Sequence, residues 1–469
     1  MRVIIIGGGI GGLCLAQGLV KAGVEVAVYE QDKGRAERVD RYRLHLNPAG
    51  SRALHACLPV TAWERFLAGV GETEGGFAFL TERLRTLVIV ENSIMYPESA
   101  DPAEQAHPVD RMFLRDVLLT GLDDVVQFGK KFDHYTLLPD GTVSAHFADG
   151  SEAVGDVLIG ADGVGSAVRR QYLPGSEPVP TGGLGIGWTV FLNGNRDGSV
   201  DDSDGSSDGS DASHGDSRGP RIPQRIRSGM NMIMAPAPFF LFTSVFRRPG
   251  RAGESDGDYL LCALVADRKA CPPGIESLGG TELRAAVAAM MADWHPDLIR
   301  LAAEADPGKF GVFPFAAAPT PDAWPSSAVT VLGDAIHCMP PAGGIGANMA
   351  LRDANLLTRN LAAAARGEMP LLGAIGDYER EMRDYAFGSV QSALRTERIG
   401  RNSSPVAQTG IRTFFRLANA VPAIKRAGFG DSWAKDARPR PWETDSARGI
   451  VRPQSATGTP ESATGTGRP

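Results

Sequence analysis

The chain reads Val3-Ile-Ile-Ile-Gly-Gly-Gly-Ile-Gly-Gly12 near its N-terminus, so that an apolar run leads directly into a cluster of glycines. This pattern predicts a buried strand over 3–6, a helix over 11–22 and a second strand over 25–29. The glycine spacing Gly7-x-Gly9-x-x-Gly12 at the first turn is the fingerprint of a dinucleotide-binding domain. A tight turn, a close approach to pyrophosphate and a helix–strand contact each require a missing side chain there.

Glu30 ends the second predicted strand, 18 residues beyond Gly12. An acid at this distance accepts hydrogen bonds from the hydroxyls of the adenosine ribose. The N-terminus of the intervening helix supplies unpaired N–H groups and a positive dipole end for phosphates. The fingerprint alone does not separate NAD from FAD.

Two further stretches follow predicted strands. They are Asp156-Val-Leu-Ile-Gly-Ala-Asp-Gly-Val-Gly-Ser-Ala-Val-Arg169 and Val331-Leu-Gly-Asp-Ala-Ile-His-Cys-Met-Pro-Pro-Ala-Gly-Gly-Ile-Gly-Ala-Asn348. In the second, Asp334 lies at the carboxyl end of its strand, where an open α/β sheet binds its ligand. A helix predicted over 347–365 would direct its positive N-terminus toward the same ligand.

Together with the N-terminal fingerprint, these stretches resemble the single-component FAD-dependent aromatic hydroxylases and monooxygenases of the para-hydroxybenzoate hydroxylase fold, over residues 1 to about 385. The resemblance implies that FAD is the cofactor and that NAD(P)H is a co-substrate bound transiently on the FAD domain. It also implies a set of FAD-binding residues: Gly7, Gly9, Gly11, Gly12, Glu30, Arg111, Asp162, Gly163, Gly333, Asp334, Pro341, Gly343, Gly346, Ala347 and Asn348.

The implied fold is of the α/β class. A Rossmann-type, glutathione-reductase-like FAD domain (1–73, 107–175 and 325–370) is interleaved with a mostly antiparallel β-sheet substrate domain (74–106 and 176–324). C-terminal helices are expected over 371–447, and disorder over 448–469 and in the acidic loop 197–217, which holds seven Asp and no Lys or Arg. Gly183-Leu-Gly-Ile-Gly187 leads into a predicted strand, so no second dinucleotide domain is expected.

The resemblance implies a monooxygenase reaction. NAD(P)H reduces the flavin, O2 adds at the flavin C4a to give a (hydro)peroxyflavin, and one oxygen atom passes to a hydrophobic, aromatic or polycyclic small molecule. Hydroxylation is the expected outcome. The alternatives are an FAD-linked reductase or dehydrogenase on the same fold, and a flavin-binding protein without turnover.

Candidates for the substrate pocket come from apolar residues of the second domain. Met230, Met232 and Met234 alternate along one predicted strand and therefore share a face, which fits either a pocket or a core. Phe239 and Phe313 carry the same two interpretations, as do Phe240, Phe242 and Phe315.

Few residues suggest acid–base or nucleophilic chemistry. The only catalytic candidates are Arg41 and Arg43, which could equally be surface charges. Structural roles are expected for His337 and Cys338, and Arg115 is interpreted as a solvated partner of a neighbouring Asp.

Composition narrows the remaining functions. The net charge of −7 equals the contribution of the acidic loop, so the rest of the chain has no basic excess for nucleic acid. Five widely spaced cysteines without a C-x-x-C pair predict free thiols and no metal site. The lack of a long apolar run or signal-peptide pattern predicts a cytoplasmic protein. Apolar residues after 411 at near-helical spacing are assigned to packing or to homodimer formation.

Overall fold

The computed structural model describes residues 1–35, 42–72, 75–192, 222–235, 238–248, 257–401 and 404–444. Arg41, the acidic loop 197–217 and the tail 448–469 therefore lie outside the described residues. Residues 1–438 form one compact unit, and a second unit begins at Pro439. Within the described ranges, no helix is long and apolar enough to cross a membrane.

The strands and helices alternate along the chain. The strands are β1 (Arg2–Ile6), β2 (Glu25–Glu30), β3 (Arg43–Leu46), β4 (Phe77–Thr81), β5 (Thr86–Val90), β6 (His107–Asp110), β7 (Val126–Phe128), β8 (Phe132–Leu137), β9 (Val143–Phe147), β10 (Glu152–Gly155), β11 (Val157–Gly160), β12 (Val179–Phe191), β13 (Met230–Met234), β14 (Phe239–Phe246), β15 (Tyr259–Asp267), β16 (Gly311–Ala317) and β17 (Val329–Val331). The helices are α1 (Ile10–Lys21), α2 (Pro48–Cys57), α3 (Val60–Gly69), α4 (Asn92–Met95), α5 (Arg111–Leu118), α6 (Ala167–Tyr172), α7 (Gly280–Met290), α8 (Pro296–Ala303), α9 (Asp334–His337), α10 (Gly346–Ala365), α11 (Leu371–Gly400), α12 (Pro405–Ala420), α13 (Pro422–Ala437) and α14 (Pro441–Thr444).

A parallel sheet carries the N-terminal fingerprint. Its five strands follow the order β17-β11-β1-β2-β7, and each neighbouring pair is parallel. Val3, Ile4 and Ile5 are fully buried, as expected for a strand in the middle of a parallel sheet whose two faces are both covered. The carboxyl ends of these strands lie along one edge, and α1, α9 and α10 begin close to that edge.

A second sheet has seven strands in the order β16-β12-β15-β14-β13-β4-β5. All its neighbouring pairs are antiparallel except β13 and β4. One face, which includes Leu184, Ile186 and Leu264, packs with α7 and α8 into a buried core. Trp188 lies in this core and donates a hydrogen bond from Nε1 to the carbonyl of Leu301 at 3.0 Å. The two remaining sheets are the three-stranded β10-β9-β8 and the two-stranded β3-β6.

The glycine run at 183–187, which the sequence placed just before a strand, lies inside β12 and makes room for aromatic rings. A Cβ at Gly185 would lie 2.9 Å from the ring of Phe315, and one at Gly187 would lie 3.0 Å from the ring of Phe313. These glycines therefore allow close packing between β12 and β16. The strand β12 itself starts at Val179, nine residues before the strand that the sequence predicted from Trp188.

The described part of the C-terminal region is helical, as the sequence predicted. The stretch from Arg412 to Arg426 is broken at Val421, where α12 ends and α13 begins with Pro422. Proline has no backbone N–H and fixes its own φ, so it fits the first turn of a new helix and not the interior of a continuous one.

Candidate functional site

One cavity of about 1560 Å³ connects the carboxyl edge of the parallel sheet with the open face of the seven-stranded sheet. Every residue predicted to bind FAD lines this cavity. Three stretches far apart in sequence, around 7–12, 162–163 and 333–348, therefore meet at one place. Their individual contacts with FAD stay predictions.

The fingerprint glycines differ in what surrounds them. Gly7 has φ +109°, and a Cβ there would lie 2.4 Å from the carbonyl oxygen of Ala161. A Cβ at Gly12 would lie 2.2 Å from the carbonyl oxygen of Gly7. At Gly9, by contrast, a Cβ would meet no atom within 4 Å. Gly7 and Gly12 are thus required by the fold, whereas Gly9 leaves open space beside the cavity.

Two helix N-termini line the cavity without a side-chain cap. The residue before α1 is Gly9 and the residue before α10 is Ile345, and neither caps its helix through a side chain. The first N–H groups of a helix have no partner within that helix, and they attract anions. Each of these two termini can therefore bind a negatively charged part of FAD.

Glu30 and Arg115 fix the backbone of the fingerprint turn. The buried Glu30 carboxylate accepts hydrogen bonds from the N–H of Gly8 at 2.6 Å and of Asp32 at 2.9 Å. Arg115 donates from Nε to the carbonyl of Gly8 at 3.3 Å and from Nη1 to that of Arg35 at 3.1 Å. Arg115 is only 3% exposed, so its interpretation as a solvated partner of a neighbouring Asp was wrong.

Two arginines bring positive charge to the cavity. Arg43 and Arg111 both line it, and Arg43 Nε and Arg111 Nη1 are buried atoms without a hydrogen-bond partner in the part of the chain that the structure describes. Arg111 lies over the ring of Tyr42, 5.4 Å from its centroid. Burial lowers the pKa of Arg43 to about 10, which still leaves it protonated at neutral pH. Cations with buried N–H groups that lack a partner favour an anionic ligand, and the pyrophosphate of FAD fits this requirement.

Asp334 is the first residue of α9, just after β17, and buried hydrogen bonds hold this segment in place. Its side chain faces the cavity, and enclosure by protein raises its pKa. Behind it, Asp353 accepts hydrogen bonds from His337 Nε2 at 2.6 Å, from the Gly333 N–H at 2.8 Å and from the Tyr385 hydroxyl at 2.6 Å. His337 and Asp353 are fully buried. The structural role predicted for His337 is confirmed, because it holds the loop that presents Asp334.

The side chains of three other residues named from the sequence contact protein groups or are enclosed by them. The Asp162 carboxylate accepts hydrogen bonds from Ser166 Oγ and from the first N–H groups of α6. The Asn348 side chain bonds the backbone of Asn47, His45 and Gly344. Burial raises the pKa of Cys338 to about 12, so this thiol stays protonated, consistent with the structural role expected for it.

The open face of the seven-stranded sheet forms the far part of the cavity. Met230, Met232 and Met234 share this face, as the alternation in β13 predicted, and all three line the cavity. Phe239 does not, because it lies on the opposite face of β14 and packs against the core below. Phe313 shares the cavity face but lies beyond the cavity, where it is 57% exposed. Both were wrongly assigned to the pocket.

Several pocket residues were not identified from the sequence. On the sheet face these are Phe77 and Phe79, whereas Phe240, Phe242 and Phe315, for which the sequence left pocket and core open, also line the cavity. From the C-terminal helices come Ile411, Phe414, Phe415 and Phe429. The assignment of the helical segment after 411 to packing or dimerisation therefore missed its contact with the cavity. Apolar residues at helical spacing fit all three roles equally, so the sequence carries no signal that separates them.

The fold and the site define an FAD-binding flavoprotein with the para-hydroxybenzoate hydroxylase fold. Residues 292–393 match the family model described as FAD binding domain, and residues 5–68 match the one described as NAD(P)-binding Rossmann-like domain. A solved structure from Photorhabdus luminescens, assigned as an FAD-containing monooxygenase, is 34% identical with a TM-score of 0.72 and covers 86% of this chain and 98% of its own. The chain belongs to the FAD-dependent monooxygenase family.

Other comparisons agree on the fold and differ in length. Klebsiella pneumoniae HpxO, solved with FAD and uric acid, has a TM-score of 0.71 at 21% identity and covers 94% of this chain and 97% of its own; it supports the fold alone. The dual O-methyltransferase/FAD-dependent monooxygenase elcB of Phaeosphaeria nodorum is 30% identical over 461 residues, which is 89% of this chain and 47% of elcB. The chain thus spans about half the length of this curated relative.

Proposed function

We propose that this protein is a monooxygenase that uses NAD(P)H and O2 to hydroxylate a hydrophobic, aromatic or polycyclic small molecule bound beside FAD. The observation that carries the proposal is the single cavity that joins the FAD motifs to a Met- and Phe-lined sheet face. Its volume of about 1560 Å³ exceeds the roughly 300–1,000 Å³ of a typical ligand pocket. A second molecule therefore has space next to the cofactor.

The chain's residues contribute binding and electrostatics. FAD, when bound, supplies the electron transfer and the oxygen chemistry. The N-termini of α1 and α10, together with Arg43 and Arg111, favour the phosphates and the negative charge of a reduced flavin. The apolar sheet face and the C-terminal helices exclude water from the substrate region.

The proposal extends to the organisation of the chain. The FAD-binding part comprises 1–73, 107–175 and 325–370, and the substrate part comprises 74–106 and 176–324. The two parts meet at the cavity, so neither forms the site alone. A cytoplasmic location and a homodimer stay predictions from the sequence.

Anaerobic stopped-flow measurement of flavin reduction tests the proposal. Purified protein should be yellow, and NADH or NADPH should bleach its flavin faster when an aromatic ligand is present. Admission of isotopically labelled O2 should then give a product that carries one labelled oxygen atom. An FAD-linked reductase would instead return a reduced substrate without O2, and a non-catalytic flavoprotein would not be bleached. Either result would refute the monooxygenase proposal.

A further inference from the structure

The C-terminal helices supply the wall of the cavity that faces the open sheet. Phe414 and Phe415 lie on α12 and Phe429 lies on α13, and we call these three residues the aromatic roof. Ring centroids of Phe79 in β4 lie 4.6 Å from Phe415 and 5.8 Å from Phe429. Aromatic side chains therefore line both the sheet and the roof.

The aromatic roof leaves apolar surface open toward the cavity. Phe414 is 40% exposed although it lines the cavity. Gly428 in α13 provides the space for its ring, because a Cβ at Gly428 would lie 2.7 Å from Phe414 Cζ. An apolar ring that the protein itself does not cover is suited to contact with an apolar ligand.

Ion pairs hold the roof at a fixed position over the sheet. Arg412 in α12 donates to the Glu82 carboxylate at 2.9 Å and to the carbonyl of Met234 at 2.8 Å. Lys425 in α13 contacts the Glu91 carboxylate at 2.8 Å. Arg412 and Lys425 are largely buried. Both helices are thereby tied to the sheet that forms the opposite wall.

We propose that the aromatic roof determines substrate specificity by selecting flat, multi-ring aromatic molecules over single-ring ones. Aromatic rings attract one another when their centroids lie about 4.5–7 Å apart. Because Phe79 packs directly against Phe415 and Phe429, a flat ligand lies beside these rings and contacts one continuous aromatic wall that the roof and the sheet form together. Each added ring of the ligand increases this contact. The inference rests on the proposed function and assigns a role to helices that lie outside the matched FAD domain model, which ends at residue 393.

The test compares ligand binding by Phe415→Leu and wild-type holoenzyme. Naphthol, a hydroxyanthraquinone and phenol are titrated against the absorbance of the oxidised flavin, so that binding is read without turnover. Leu keeps the apolar character and most of the volume but removes the ring. We expect about two- to tenfold weaker binding of the two fused-ring probes, with phenol binding changed less than twofold. Leu417→Ala is the matched control, since Leu417 lies on α12, is 49% exposed and does not line the cavity.

A second variant perturbs the aromatic roof at a different residue, so that the result does not depend on the folding of one variant alone. Gly428→Ala should displace the Phe414 ring and weaken fused-ring binding in the same selective way, and FAD content and unfolding temperature report whether each variant folds. The inference is overturned if the wild type binds phenol as tightly as the fused-ring probes or binds none of them, or if both variants keep its selectivity. Selective binding without oxygenation would instead refute the proposed function and leave the inference standing.

Discussion

Replacement of Gly9 by Ala separates cofactor binding from folding. The backbone at Gly9 is extended, with φ −79° and ψ −178°, and a Cβ there meets no atom within 4 Å. The apoprotein should therefore keep its unfolding free energy within about 0.5 kcal/mol. The added methyl group enters the space beside the N-terminus of α1 where we expect the FAD pyrophosphate.

The expected loss of affinity follows from the hydrogen bonds that the methyl group blocks. One hydrogen bond to a charged group is worth about 1.5–3 kcal/mol, and about 1.4 kcal/mol corresponds to a tenfold change in affinity. Gly9→Ala should thus weaken FAD binding roughly 10- to 100-fold.

Gly12→Ala provides the contrast within the same motif. Its Cβ would lie 2.2 Å from the Gly7 carbonyl oxygen and 3.1 Å from Ala161 Cβ, and neither atom belongs to a flexible side chain. Overpacking costs up to about 3 kcal/mol, while the better helix propensity of Ala returns about 1 kcal/mol. The apoprotein should lose about 2 kcal/mol of unfolding free energy.

Urea unfolding of both apoproteins and titration with FAD, followed by quenching of flavin fluorescence, give the two quantities separately. The reasoning about the turn is refuted if Gly9→Ala binds FAD as tightly as the wild type. It is also refuted if Gly9→Ala destabilises the apoprotein as much as Gly12→Ala does.

Three further predictions address other parts of the site. Arg111→Gln should lower FAD affinity about tenfold through loss of a positive charge that lines the cavity, and an unchanged titration would contradict its role. Burial lowers the pKa of His45 to about 3, so the folded protein holds this side chain in its neutral form. The resulting stabilisation is fully present above about pH 6.5 and is lost as the pH falls toward 3. The loss is at most about 1.4 kcal/mol of unfolding free energy per pH unit. His45→Gln should therefore flatten the dependence of unfolding free energy on pH in that range, and parallel curves for the two proteins would speak against it. Phe313→Ala should leave ligand-accelerated flavin reduction unchanged whereas Phe315→Ala should slow it, and the opposite ranking would show that the cavity extends over Phe313.

The residues that the sequence identified well belong to motifs that are local. A strand, a glycine turn and a helix start within 3–12 depend on contacts between near neighbours, such as the 2.2 Å from a Cβ of Gly12 to the Gly7 oxygen. The same holds for the strand that ends at Asp334. Such patterns constrain the chain wherever they occur, so the parallel sheet and its cavity-lining edge could be predicted from them.

Tertiary structure decided which side chains are buried and which of them line the cavity, because both depend on partners distant in sequence. Arg115 is buried because Gly8, more than a hundred residues earlier in the chain, presents its carbonyl to it. Phe239 and Phe240 are adjacent, yet only Phe240 reaches the cavity, since side chains alternate between the two faces of a strand. The sequence alone thus determined an FAD-type binding edge, and only the packing of the second sheet with α12 and α13 decided which aromatic side chains line the cavity.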